Sequence, residues 1–305
     1  ILIGARDIYG IRPLVIGKIG ASFVLASESC ALDIIGATFL REVENGEIVY
    51  IENNELNSLK PFGEHKPRPC VFEYIYFSRP DSFLRGKTAY EYRKNLGKEL
   101  AREDTVEADL VVPVPDSGNA AAIGYSHEKK INFELGLIRN HYVGRTFIEP
   151  GQQIRSLGVK LKLNANKSSI EGKSIILVDD SLVRGTTSHK IVKMLYDAGA
   201  KEVHLRIACP EIKYPDFYGV DMPTKKELLA ANKSVEEICE YVQAKSLRFL
   251  SIKGLYKALG FQERNNTTPQ LTDHYFTGEY PIKLVDQLGD SKITQLSLLS
   301  SGSNI

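Results

Sequence analysis

From about residue 70 to residue 260, stretches with the apolar pattern of a buried strand alternate with stretches that have the apolar spacing of a helix. Short apolar runs typical of buried strands lie at 110–114, 174–178 and 201–209. Around these runs, apolar residues recur at helical spacing over 90–102, 120–125 and 188–198. Because strands that alternate with helices form parallel βαβ units, this pattern predicts an α/β fold with a doubly wound parallel sheet.

The first 60 residues show a different pattern and predict a β-rich unit with little helix. Apolar stretches separated by glycine or asparagine turns predict strands at 14–17, 22–26 and 47–51. Residues 1–5 already resemble the middle of a strand, so we expect a fragment whose true beginning lies upstream. The polar, proline-containing stretch 61–69 predicts a linker. The aromatic residues of 70–77 predict a strand that ends in a turn.

The main functional pattern lies where the predicted strand 174–178 ends. Two carboxylates, Asp179 and Asp180, follow it, and they suit a sugar diol, a cation or a positively charged intermediate. Ligands in open α/β sheets bind beyond the carboxyl ends of strands, and a helix start offers N–H groups to a phosphate. The turn that would hold this phosphate contains Ser181, Arg184, Gly185, Thr186, Thr187 and Ser188. The alternative is an ordinary strand-to-helix turn with two solvated acids.

Two further segments contain candidate chemistry. The predicted strand at 110–114 leads into a loop in which Ser117 could cap the next helix. The stretch 136–155 has no helical or strand period and is rich in cations, namely Arg139, His141, Arg145 and Arg155. A mobile cationic loop of this kind could close over a pyrophosphate, bring positive charge and exclude water. A solvated basic loop is the alternative.

Composition narrows the classes of function. The 305 residues are enough for one large or two ordinary domains, and a net charge of +1 gives no broad electrostatic case for nucleic acid or an anionic membrane. No apolar run reaches membrane-spanning length, and no signal peptide is visible. The four cysteines are scattered without a C-x-x-C pair, which favours reduced thiols in a cytoplasmic protein.

Three motifs resemble those of amidophosphoribosyltransferases and occur in the order of that family. They are the acid-pair stretch 174–188, the string Tyr-Val-Gly-Arg-Thr-Phe-Ile at 142–148, and the string Phe-Ser-Arg-Pro-Asp-Ser at 77–82. The strings at 6–14 and 26–33 resemble the last part of an N-terminal-nucleophile glutaminase domain, whose catalytic cysteine would lie upstream. The resemblance implies a glutaminase remnant at 1–66, a type I phosphoribosyltransferase domain at 67–270, and a C-terminal extension with a flexible tail at 271–305. We expect no glutaminase activity from this chain.

The resemblance also implies a reaction. Ammonia would displace pyrophosphate from phosphoribosyl pyrophosphate (PRPP) and give 5-phosphoribosylamine, the first committed step of purine biosynthesis. Glutamine would supply ammonia in the intact enzyme, and this chain would use free ammonia.

The residue roles follow from the same resemblance. Asp179 and Asp180 would hold the ribose hydroxyls and, with Ser117, Mg²⁺. Residues 181–188 would hold the 5′-phosphate. Arg139, Tyr142 and Arg145 would act in catalysis, although Arg139 and His141 stand where the family usually has lysine and arginine.

Some relatives hold an iron–sulfur cluster with four cysteines. Cys70 matches the first of them, whereas the other positions align with Asp216, Thr267 and Gln270. Because ligation requires thiolates, we expect no iron–sulfur cluster here.

Two other functions remain open at this stage. A base-salvage transferase of the same fold would need a hood over a purine or pyrimidine, and the glutaminase-like first 60 residues argue against it. A non-enzymatic PRPP-binding regulator would need a DNA-binding helix pair and a basic face, which the sequence lacks. We expect a homo-oligomer that binds neither nucleic acid nor membrane.

Overall fold

The computed structural model describes residues 1–140, 163–222 and 224–284. The first 60 residues form two three-stranded antiparallel sheets, as the pattern of short apolar stretches predicts. Their strands are β1 (Leu2–Ala5), β2 (Val15–Ile19), β3 (Ser22–Ala26), β4 (Thr38–Glu42), β5 (Ile48–Glu52) and β6 (Glu55–Leu59), with helix α1 (Ser29–Ile34) after β3. The strand orders are β1–β5–β6 and β3–β2–β4. We call residues 1–60 the β-rich unit.

The aromatic segment after the linker is helical, so the predicted strand at 70–77 is wrong. Cys70 makes a single bridge to Thr272, and the chain then enters a π-helix at Glu73–Phe77. The aromatic rings of this segment pack against rings from elsewhere in the chain, with centroids 4.6 Å apart for Phe72 and Tyr275. The residues from 70 to 75 are all buried, because the segment is enclosed rather than placed on one face of a sheet. A short hairpin of β7 (Phe83–Leu84) and β8 (Lys87–Thr88) follows.

A five-stranded parallel sheet forms the centre of the remaining chain, as the alternating pattern predicts. The strands, in spatial order, are β10 (Asn132–Phe133), β9 (Leu110–Pro113), β13 (Ser174–Asp179), β14 (Glu202–Ile207) and β15 (Ser246–Phe249). The central strand β13 is covered on both faces, and its residues 175–178 are fully buried. This burial explains the continuous apolar run, because a strand covered on both faces needs no polar side.

Helices follow the strands of the sheet along the chain. They are α2 (Ala89–Arg102), α3 (Asn119–Lys129), α4 (Lys167–Ile170), α5 (Thr186–Asp197), α6 (Leu229–Asn232), α7 (Val235–Val242), α8 (Ile252–Ala258) and α9 (His274–Thr277). Helix α7 begins with a capping box, in which the Ser234 hydroxyl accepts a hydrogen bond from the Glu237 N–H group. No helix in the described part of the chain is both long and apolar enough to cross a membrane.

Helices α2 and α3 cross with their backbones in contact. A Cβ atom added at Gly97 would lie 1.8 Å from the Ala121 carbonyl oxygen, and one added at Gly124 would lie 1.9 Å from the Lys94 carbonyl oxygen. Only glycine permits so close an approach. The two helices therefore form one rigid layer on the sheet.

A buried ion pair joins the end of α2 to the sheet. The Arg206 guanidinium on β14 donates to the Asp104 carboxylate, and both side chains are almost fully buried. The Tyr125 hydroxyl donates to the same carboxylate at 2.5 Å. Burial acts to raise the pKa of Asp104, but the hydrogen bonds from Arg206 and Tyr125 outweigh it and hold the pKa below its usual value. A ring nitrogen of His204, on the same strand, lies 2.8 Å from the Ser246 hydroxyl oxygen, so this histidine has a hydrogen-bond partner within the sheet.

Two strands outside the main sheet flank the undescribed residues 141–162. They are β11 (Leu137–Arg139) and β12 (Leu163–Ala165), which pair antiparallel. Arg139 is the last residue of β11, so its position is described, whereas Tyr142 and Arg145 lie outside the described residues.

Candidate functional site

The predicted acid pair lies at the end of the central strand. Asp179 is the last residue of β13, and Asp180 follows it. Both carboxylates are buried, with residue exposures of 8% and 5%. An Asp179 carboxylate oxygen accepts a hydrogen bond from the Asp180 N–H group at 2.9 Å, and Ser181 donates its hydroxyl to Asp180 at 2.5 Å. The acids are therefore held by the backbone and are not solvated, which disfavours the alternative of an ordinary turn.

Burial shifts the pKa values of both acids in the same direction. Burial raises the pKa of Asp179 well above its usual value, and the charge on Asp180 raises it further. Burial also raises the pKa of Asp180, and hydrogen bonds from Ser117 and Ser181 oppose this shift. Because burial disfavours the ionised form of both carboxyl groups, the pair favours a ligand that brings positive charge or hydroxyl donors.

The loop that contains Ser117 crosses the tip of β13. A Cβ atom added at Gly118 would lie 2.4 Å from the Val178 carbonyl oxygen, so this position requires glycine for close packing. Gly118, not Ser117, precedes helix α3, and no side chain caps this helix. The interpretation of Ser117 as a helix cap is therefore wrong, and its hydroxyl instead acts to lower the pKa of the Asp180 carboxyl.

The predicted phosphate turn leads directly into a helix. Gly185 adopts the left-handed conformation with φ +72°, and α5 begins at Thr186, two residues earlier than the apolar period indicates. The first hydrogen bond of this helix runs from the His189 N–H group to the Gly185 carbonyl. The N–H groups of residues 186–188 are consequently free of helix partners and carry the positive end of the helix dipole. No acidic side chain lies in this first turn to oppose an anion.

Arg184 is engaged in an ion pair in the structure. Its guanidinium binds the Glu227 carboxylate at 3.1 Å, and both side chains are about half exposed. Glu227 belongs to a short 3₁₀ helix at Lys225–Glu227. The position of Arg184 beside the turn agrees with the sequence, but its contact with Glu227 was not expected from any local pattern.

Arg139 contacts the loop that crosses the tip of β13. Its guanidinium pairs with the carboxylate of Asp116, which directly precedes Ser117 in the loop over β13. Both side chains are exposed, so a competing anion can reach the guanidinium. The acid pair, Ser117 and the turn 181–188, which includes the start of α5, thus meet at the strand tip, and Arg139 contacts the loop that crosses it.

Sequence reasoning missed one buried cation near the acids. Arg93 lies on α2 with 6% exposure, and its charge acts on Asp180. The sequence contains a weak signal for it, because Arg93 stands between residues of the apolar face such as Tyr92 and Leu96. A charge on the buried face of a helix indicates a specific partner.

The donor atoms at the strand tip fit a magnesium ion. The described residues contain no cluster of three or more His, Cys, Asp or Glu side chains that could hold a metal by themselves. Magnesium usually binds one or two carboxylates, and substrate phosphates and waters complete its octahedron. Asp179, Asp180 and the Ser117 hydroxyl are oxygen donors of this kind, and the buried acid pair leaves negative charge to be neutralised.

Cys70 lies in a separate buried cluster. Its sulfur is 3.2 Å from the Tyr275 hydroxyl, and burial raises its pKa to about 11. Asp216 is 3.0 Å from the His274 ring nitrogen and accepts hydrogen bonds from two backbone N–H groups. Gln270 instead bonds to the backbone of neighbouring residues. The absence of an iron–sulfur cluster stays a prediction.

Comparison with known proteins places this arrangement in context. No protein-family model matches the chain. An amidophosphoribosyltransferase from Rhizobium etli is 56% identical over 306 residues, which cover 98% of this chain and 62% of that protein. One from Bacillus subtilis is 50% identical and covers 93% of this chain and 59% of its own length. The chain is homologous to amidophosphoribosyltransferases. It spans about three fifths of the length of these curated relatives.

A solved structure agrees with this relationship. The glutamine PRPP amidotransferase of B. subtilis, complexed with ADP and GMP, has a TM-score of 0.85 at 49% identity. The match covers 93% of this chain and 62% of that one. It confirms the predicted fold class, a type I phosphoribosyltransferase sheet preceded by a β-rich region.

Proposed function

We propose that the chain carries the transferase activity of amidophosphoribosyltransferases. In this reaction the bond between C1 of PRPP and pyrophosphate breaks, and ammonia forms the new C1–N bond of 5-phosphoribosylamine. The proton lost from nitrogen passes to pyrophosphate or water. The observation that carries the proposal is the buried pair Asp179 and Asp180 beside the free N–H groups that begin α5. The names of the relatives support the same assignment.

The acid pair and the helix start would bind different parts of PRPP. Asp179 and Asp180 would accept hydrogen bonds from the 2′- and 3′-hydroxyls of the ribose. Their negative charge would also stabilise the positive charge that develops on the sugar ring as pyrophosphate leaves. The N–H groups and hydroxyls of Ser181 and residues 185–188 would hold the 5′-phosphate. Both contacts position C1 for attack, and no protein nucleophile is required.

Positive charge is needed around the pyrophosphate group of PRPP. When bound by Asp179, Asp180 and Ser117, Mg²⁺ supplies charge neutralisation of the departing pyrophosphate. Arg139 would exchange its contact with Asp116 for a pyrophosphate oxygen. Tyr142 and Arg145, outside the described residues, would complete the closure of the site and exclude the water that hydrolyses the sugar cation.

The wider setting follows from the relatives and is also proposed. The chain would serve the first committed step of purine biosynthesis in the cytoplasm, as part of a homo-oligomer. Ammonia would come from glutamine in proteins of the relatives' full length. We retain the division into 1–66, 67–270 and 271–305 as a proposal.

The test is pyrophosphate release from PRPP and Mg²⁺ with ammonia, hypoxanthine or uracil as the acceptor. We expect release with ammonia alone. Changing Asp179→Asn together with Asp180→Asn should lower kcat/KM by about a hundredfold or more, because preorganised charge is lost from the site. The control Asp197→Asn removes an exposed acid at the far end of α5 and should leave kcat/KM unchanged. Release with a nucleobase alone, or an active double variant, would refute the assignment.

A further inference from the structure

The motif at 77–82 lies in a segment that connects the β-rich unit to the transferase sheet. We call residues 73–83 the junction segment. It is held by Glu28 of the β-rich unit, whose carboxylate accepts from the Arg79 N–H group at 2.7 Å and from the Ser82 hydroxyl at 2.8 Å. Arg12, also of the β-rich unit, pairs with Glu73 at 3.0 Å. The β-rich unit is thus attached to the junction segment by charged groups.

The junction segment is also held by Arg93 of α2. The Arg93 guanidinium donates to the Tyr74 carbonyl at 3.1 Å and to the Ser78 carbonyl at 2.7 Å. These two carbonyls lie at the beginning and just after the end of the π-helix. A guanidinium has donors in a fixed planar fork, so it fixes the distance between two carbonyls better than an ammonium does. Arg93 and Glu28 therefore bind different groups of the same segment.

Arg93 is also connected to the acid pair. Helix α2 is locked to α3 by the close backbone contacts at Gly97 and Gly124. The loop before α3 in turn packs on the tip of β13, where a Cβ atom added at Gly118 would lie 2.4 Å from the Val178 carbonyl oxygen. Movement of Arg93 would therefore reach the strand tip that bears Asp180 through the packed helices.

We propose that Arg93 is a positioning residue for PRPP binding, which holds the junction segment and the β-rich unit in a fixed place relative to the strand tip that bears Asp180. This inference rests on the function proposed above. It gives the motif at 77–82 a role, because the backbone of Arg79 and the side chain of Ser82 contact Glu28 while the preceding carbonyls contact Arg93.

The test compares Arg93→Gln and Arg93→Lys with Arg102→Gln in the full chain. Arg102 lies on the same helix, is exposed and forms surface ion pairs, so its replacement controls for the loss of an arginine from α2. The assay is ammonia-dependent pyrophosphate release, from which kcat and the KM for PRPP are obtained. Hydrogen exchange is measured in parallel at the amides of Ser82 and Tyr90, which bond to the carbonyls of Arg79 and Pro80.

We expect Arg93→Gln to raise the KM for PRPP about tenfold while kcat changes less than about twofold, as when an interaction of the bound ground state is lost. Arg93→Lys should raise KM less, because it keeps the charge and one donor. Arg102→Gln should change neither constant. The amides of Ser82 and Tyr90 should exchange faster in Arg93→Gln.

If Arg93 had only a structural role, its replacement would change kcat rather than KM. Partial unfolding removes active molecules, which lowers the apparent kcat and leaves KM unchanged. A KM within about twofold of the parent in both Arg93 variants would therefore overturn the proposal. If Arg93→Gln does not fold, the same criterion applies to Arg93→Lys alone. If the parent chain releases no pyrophosphate, the proposed function fails, and unchanged exchange at Ser82 and Tyr90 would separately refute the positioning of the junction segment.

Discussion

Replacement of Gly185 by alanine tests the phosphate turn directly. Gly185 has φ +72°, and a Cβ atom there would lie 2.5 Å from Cδ2 of Leu229. An alanine would therefore meet two penalties, a left-handed backbone that costs roughly 1 kcal/mol and a steric contact. Because the opposing atom is the end of a flexible side chain, repacking relieves part of the contact, and we expect it to add about 1 kcal/mol.

Gly172 provides a matched control. Its φ is +73°, and a Cβ atom added there would meet nothing within 4 Å. Gly172→Ala should therefore lose only the backbone term, about 1 kcal/mol of unfolding free energy, while Gly185→Ala should lose about 2 kcal/mol. Since Gly185 lies immediately before the N–H groups of α5, its substitution should also raise the KM for PRPP about tenfold, equivalent to about 1.4 kcal/mol.

Urea unfolding of both variants, followed by ammonia-dependent pyrophosphate release, measures the two effects separately. Both variants should lose the unfolding free energy that comes from the left-handed backbone, and Gly185→Ala should lose more in total. Only Gly185→Ala should change the KM for PRPP. If Gly185→Ala and Gly172→Ala lose equal stability and both retain the parental KM, the turn at Gly185 does not shape a phosphate site.

Two further predictions concern buried charges. Arg206→Met leaves the Asp104 carboxylate buried without its main partner and should lower the unfolding free energy by about 3–5 kcal/mol in urea, whereas Arg248→Gln, 3.9 Å from the same carboxylate and half exposed, should cost less than about 1 kcal/mol. Equal losses would contradict this. The Arg41 guanidinium is the main cause that lowers the pKa of Glu47 to about 2. Because this folded pKa lies below the unfolded value of about 4.3, the contribution of Glu47 to stability is present above the unfolded pKa and is lost as the pH falls towards 2. Thermal unfolding of Glu47→Gln and the parent should therefore give Tm values that differ at pH 7 and converge near pH 2, and a difference that persists there would be inconsistent with this origin.

The sheet and the strand tip were predictable because their signals are local. The apolar run before Asp179, the adjacent acids and the glycine before a helical period all lie within about fifteen residues. The parallel direction of the strands follows from the alternation of strand and helix, since each helix returns the chain to the end of the sheet where the preceding strand began. These features required no knowledge of distant contacts.

The features that were missed depend on pairs far apart in the chain. The segment 70–77 has strand-like composition, but rings such as Tyr275 enclose it and favour a π-helix. Asp104 and Arg206 are 102 residues apart, and Arg184 and Glu227 are 43 apart, so no local period reveals either pair. The role of Arg93 is likewise hidden in the sequence, because the Tyr74 and Ser78 carbonyls that it binds are 19 and 15 residues away.

The chain enters and leaves the unit that contains the parallel sheet at one point. The Thr272 N–H group donates to the Pro69 carbonyl at 2.9 Å, and its carbonyl accepts from Val71 at 3.2 Å. Units whose ends meet in this way tolerate circular permutation. A circular permutant in which Thr272 is linked to Val71 and the chain is opened at the exposed turn of Gly86 would keep every neighbouring pair of strands in the parallel sheet.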